Sequence, residues 1–146
     1  MLRMRSYLAR SQLNSSVRWQ QTMSQSTLDT ERIVRLLLAD AVATLGEWAR
    51  AEVLAVAANM EKNNARAWLA QGVKLAQVQA DFDREVVDHF QQDVHDEHWD
   101  TTWPTCPLHP NHPLWYDADG EVWYCRQDRT TLAPLGGLAG LYPPAT

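Results

Sequence analysis

Both cysteines of the chain, two of its five histidines and an aspartate lie within one short stretch, CPLHPNHPLWYDADGEVWYCRQD, from Cys106 to Asp128. Two residues separate Cys106 from His109, and two separate Cys125 from Asp128. A C-x2-H or C-x2-D spacing lets one turn of chain offer two donors to a tetrahedral ion. Fifteen residues lie between His109 and Cys125, the spacing of two knuckles brought together by a hairpin. The predicted ligands are therefore Cys106, His109, Cys125 and Asp128, with His112 as the substitute should Asp128 face solvent. Two thiolates and an imidazole favour Zn2+ over magnesium or calcium, because soft sulfur and nitrogen donors suit it. Three other readings stand beside this one: a Cys106–Cys125 disulfide, buried free thiols beneath the tryptophans, or a hairpin that packs without metal.

A second cluster, DHFQQDVHDEHWD, spans residues 88–100. His89 and Asp93 are four apart and His95 and His98 three apart, so each pair shares a helical face. A metal-dependent hydrolase would use these four with Asp96 or Glu97. No catalytic spacing such as HExxH occurs. The competing reading is a solvated helix end whose histidines suit the negative pole of the dipole.

Several elements must position the first cluster. Pro104, Pro107, Pro110 and Pro113 fall three residues apart and push the residue before each out of the helical region. LWYDADGEVWYC then predicts two short strands, Leu114 to Tyr116 pairing with Val122 to Tyr124 around the Asp117–Gly120 turn. Trp115 and Trp123 would cross-pair on one face. The ending APLGGLAGLYPPAT predicts a flexible tail, or a strap laying Leu135, Leu138 and Leu141 over a helix. Its Gly136-Gly137 lacks a following GK[ST] and is no phosphate loop.

Residues 103–138, about a quarter of the chain, resemble the zinc-ribbon-type tail of uncharacterised actinobacterial proteins. Such tails read CPxHxxHPL, an aromatic strand, a glycine turn, W-x-C and an APLG-like ending. The counterparts here are Cys106, His109, His112, Trp123, Cys125 and the run Ala133 to Gly136. The resemblance implies a ribbon-like hairpin and no activity. The chain departs from a full zinc ribbon in lacking a second thiolate in its last knuckle.

Upstream, the pattern is helical. Thr27 or Asp29 can cap a helix over ERIVRLLLADAVATLGEWARAEVLAVAANMEK, interrupted only by Gly46. Ile33, Leu37, Val42, Leu45, Trp48 and Val56 recur at helical spacing, and Leu36, Leu38, Val53 and Leu54 widen the apolar arc, implying contacts on more than one side. Asn63-Asn64 is a stop. A second helix is predicted over residues 65–94, with Trp68, Gly72, Leu75, Gln79, Phe82, Val86 and Phe90 forming a heptad-like seam. Lys74, Gln77, Asp81, Arg84 and Asp88 form its outer face. Trp48 and Trp68 are read as core residues rather than a ligand cage. The two helices make a hairpin that needs a third layer or a second copy, and dimerisation through the first helix is the preferred solution.

The 146 residues are 45% hydrophobic and 21% charged, which suits one globular domain rather than a disordered chain. The net charge of −5 is uneven. Four of the 13 cationic residues precede Asp29 and all 18 acidic ones lie at or after it, leaving the body a net −9. Such a body repels phosphate backbones, so its charge disfavours nucleic-acid binding unless a local basic face escapes the average. Residues 1–26, rich in Arg, Ser and Gln, read as a disordered or targeting-like extension: a segment upstream of a start at Met23, a mitochondrial transit peptide, or a basic binding arm.

The expectation is thus a mainly α protein. A helical hairpin spans residues 27–100, a zinc-ribbon-like β-hairpin 101–130 and a flexible tail 131–146. Its expected task is non-enzymatic protein interaction or scaffolding, in the cytoplasm, with no membrane span. The alternatives are the hydrolase above and an assembly factor imported into the mitochondrial matrix.

Overall fold

A computed structural model describes residues 28–63, 65–98 and 102–142, so the expected N-terminal extension lies outside the described residues. Helix α1, Thr30–Leu45, starts at an Asp29 cap whose side chain accepts the Arg32 N–H at 3.1 Å. It does not continue to residue 62. At Gly46 the backbone takes φ 105° and ψ 177°, a conformation open to glycine, and helix α2 begins afresh as Ala49–Asn63. The break lets Ile33, Leu37 and Ala41 of α1 share a core with Ala49, Val53 and Val56 of α2. The wide apolar arc of the first predicted helix is answered by its own second half.

The second predicted helix also divides. Helix α3, Ala65–Ala70, ends in a turn with Gly72 at φ 83°, and helix α4 runs over Leu75–Glu97. Phe82, Val86 and Phe90 of the expected seam are buried, joined by Val78, Val87 and Val94. Gln79 is instead a polar link, accepting the Asp29 N–H at 2.7 Å and donating to Asp83 Oδ1 at 2.8 Å. Trp48, read as core, is 41% exposed. Among the described residues no helix is long and apolar enough to cross a membrane.

The architecture is mainly α with one small antiparallel sheet, ordered β1 (Trp115–Asp117), β2 (Val122–Cys125), β3 (Thr130–Pro134). The third strand corrects the expected hairpin and occupies part of the expected flexible tail. Arg129, at φ 52°, reverses the chain after Cys125 so that β3 pairs with the free edge of β2. The register is also corrected, by one residue: Trp115 faces Tyr124 and Tyr116 faces Trp123. The loop includes Glu121, at φ 54°, and Asp117 Oδ1 accepts the Asp119 N–H at 3.1 Å. Because side chains alternate along a strand, this one-step slip puts Trp115 and Trp123 on opposite faces. Trp123 and Tyr116 pack inward together, with ring centroids 5.9 Å apart.

Asp40 of α1 joins the sheet to the helices. Fully buried, it accepts the Trp123 indole N–H at 2.7 Å, the Gly136 N–H at 2.7 Å and the Leu138 N–H at 2.8 Å. Burial pushes its carboxyl pKa upward, and these three donors oppose that shift. Gly136 has φ 90°, and a Cβ there would stand 2.9 Å from Leu36 Cδ2. Leu135 and Leu138 are buried, so the end of the described chain is a strap over α1 rather than a free tail. Gln91 of α4 fastens the proline-rich segment, donating to Trp103 O at 3.1 Å and Leu114 O at 3.0 Å.

Candidate metal centre

Cys125 closes β2 on an inward-facing position and is 2% exposed. The chain turns directly after it, and the Asp128 N–H points back to Cys125 Sγ at 3.4 Å. The thiolate is the form of cysteine that binds metal. His109 comes from the facing loop, which a chain of short backbone bonds holds compact. Cys106 N–H donates to His112 O at 2.9 Å, His109 N–H to Cys106 O at 3.2 Å, and His112 N–H to His109 O at 2.9 Å. Thr105 and Pro113 bridge the base of the loop.

These two turns bring three of the five predicted donors together. One ligand atom each from His109, Cys125 and Asp128 lies within 4.8 Å of the others, and His109 Nε2 stands 3.1 Å from Asp128 Oδ2. The His109 and Asp128 side chains are 28% and 47% exposed, so the group has a buried sulfur wall and an open side. An imidazole, a thiol and a carboxylate in this arrangement could hold a metal ion.

Cys106 does not join them. It is fully buried in the apolar core and is not among the converging donors, so only the His109 half of the predicted C-x2-H knuckle reaches the site. Both thiols are free, which sets aside the disulfide reading. His112 lies nearby, exposed, its Nε2 2.9 Å from Gln127 Nε2 and its ring centroid 6.3 Å from that of His109.

Among the described residues, those proposed for a hydrolase do not form a group of three converging ligand atoms. His89 Nδ1 lies 2.9 Å from Glu85 O, Asp96 accepts from Gln92 at 2.8 Å, and the His98 ring lies 4.0 Å from Trp48. Among the described residues, the sole group arranged for a metal is the one on the sheet.

The sequence reading missed three features. Outward-facing Trp115 carries the Arg126 guanidinium 3.5 Å above its ring, and beside it a cleft of ≈480 Å3 separates α4 from the proline-rich segment. Counting the turn one residue shorter, with Asp117 rather than Tyr116 opposite Val122, would have revealed that face of Trp115. Asp40 and Asp83 are the other misses, both buried at apolar-face positions. Burial pushes the Asp83 carboxyl up to about 6, against the Gln79 hydrogen bond and Arg32, whose Nη1 is 3.8 Å away. Arg32 also pairs with Glu121. Close by, the Tyr116 hydroxyl is buried without a partner, and burial raises its pKa to about 12. An acidic residue interrupting an apolar stripe was the available signal for both aspartates. No protein-family model, curated protein or solved structure matches this chain.

Proposed function

We propose that the protein is a small, non-enzymatic interaction or scaffolding module whose zinc-ribbon-like sheet is clipped by one Zn2+ held by His109, Cys125 and Asp128. The observation that carries this reading is the convergence of those three donors from two separate turns. Zinc fits the set because a thiolate and an imidazole are soft or borderline donors, whereas magnesium and calcium favour oxygen throughout. The metal's role would be to tie the loop of residues 106–113 to the turn after β2. None of the three donors lines either of the two clefts described beside α4. Next to His109, Leu108 is 53% exposed at the tip of the clipped loop and offers an apolar contact for a protein partner. The acidic body disfavours nucleic acid as that partner.

Native mass spectrometry of the protein with Zn2+ should show one ion per chain. Zinc at about 100 times its Kd should stabilise the fold by about 2.7 kcal/mol. Cys125→Ser should remove both effects. A photo-cross-linking residue at position 108, used in the source cells, should trap one predominant protein in a zinc-dependent way. Zinc binding that survives Cys125→Ser, or trapping indifferent to zinc, refutes the reading.

A further inference from the structure

We infer that His112 closes the metal site, so that the ligands form two matched pairs, His109-x2-His112 and Cys125-x2-Asp128, while Cys106 is a core thiol. This rests on the metal reading of the same site and adds its fourth ligand.

Both pairs are built alike. Two residues separate the members of each, and the N–H of the second member turns back on the first in both, His112 N–H to the His109 carbonyl at 2.9 Å and Asp128 N–H to the Cys125 sulfur at 3.4 Å. His112 already reaches across to the second turn, since its Nε2 lies 2.9 Å from the amide nitrogen of Gln127, the residue before Asp128. Two imidazoles on one tetrahedral zinc place their ring centres roughly 5 Å apart, given Zn–N bonds of ~2.0–2.1 Å. The observed separation is 6.3 Å, so the two rings lie near, though not yet at, the spacing a shared ion sets. The ring is exposed and can turn about its side-chain torsions, giving up the Gln127 contact and no core packing. Cys106, at 0% exposure, is not among the three donors that converge. The result is a closed four-ligand site of the structural type, with two nitrogens, one sulfur and one oxygen.

Cobalt(II) replaces zinc in such sites and reports on its ligands, so the full-length protein is titrated with Co2+ and its visible spectrum recorded. Wild type and Cys106→Ala should both show a thiolate-to-cobalt band and intense tetrahedral d–d bands. His112→Ala should keep the thiolate band, lose d–d intensity, and bind Co2+ more weakly by more than the ~10–100-fold that loss of an outer-shell partner costs. Added imidazole should restore its spectrum, and Gln127→Ala should bind somewhat more tightly than wild type. Because His112 is exposed, the metal-free melting temperature of His112→Ala should match that of wild type, which separates ligand loss from misfolding. A His112→Ala protein with wild-type affinity and spectrum overturns the four-ligand assignment and leaves the three-donor site standing. Loss of the thiolate band in Cys106→Ala also overturns it. Absence of that band in the wild type overturns the metal reading itself.

Discussion

Replacing Asp40 by Ala should be among the most damaging single changes in this protein. The side chain has no exposed surface and accepts three hydrogen bonds at 2.7, 2.7 and 2.8 Å. Alanine would leave the Trp123 indole and the Gly136 and Leu138 amides without an acceptor, each such group costing about 1–3 kcal/mol. Even with partial relaxation the loss should reach about 4 kcal/mol, a large share of the roughly 5–15 kcal/mol that holds a domain folded. Asn is the informative control. Its single oxygen can keep the two donors now on Oδ2, Trp123 and Gly136, but its NH2 would then face the Leu138 N–H. One lost bond and one opposed donor pair, offset by removal of a buried charge, should cost about 1–3 kcal/mol. Urea unfolding followed by tryptophan fluorescence measures both variants. An Asp40→Ala protein within about 0.5 kcal/mol of wild type, the range of an ordinary surface substitution, would refute the view that this carboxylate joins sheet to helices.

Three further changes test the electrostatics and the packing. Asp83 has a folded pKa of about 6, above its unfolded value, so its contribution is fully favourable below about pH 4 and is lost as pH rises toward and through 6. Asp83→Asn, which can still accept from Gln79, should therefore gain on wild type by up to about 3 kcal/mol between pH 4 and pH 7.5 in paired urea titrations; a pH-independent difference would contradict this. Tyr116→Phe removes a buried hydroxyl that has no partner and should leave stability unchanged or raise it by about 1 kcal/mol, whereas a loss of that size would reveal a partner for the hydroxyl. Gln91→Leu orphans the Trp103 and Leu114 carbonyls and should cost about 1–3 kcal/mol, with hydrogen exchange accelerated over residues 103–114; exchange unchanged there would show that Gln91 does not fasten the segment.

Much of the candidate site was legible because it is local. The two-residue spacings placed His109, Cys125 and Asp128 in turns, and the Asp-Gly signal placed a hairpin between them. The burial of Cys106 was not legible, since it depends on the whole loop's packing against the core. The strand register failed for a related reason. A one-residue slip changes little locally, yet it exchanges every inward side chain for an outward one, and only the fit of Tyr116 and Trp123 against the helices chooses between them.

By itself the sequence determined that residues 30–63 and 65–97 are mainly helical, narrowed the first cap to Thr27 or Asp29, and gave the outer face of α4 and the presence of a small aromatic hairpin. These follow from residue type and periodicity over a few turns of chain. Tertiary structure alone decided that Gly46 and Gly72 are breaks, that residues 130–134 form a third strand, and that the following segment is a strap. In each case the choice rests on partners far away in the chain. Gly46 frees α2 to pack on α1, and the strap is held by Asp40, 96 and 98 residues before the amides that bind it.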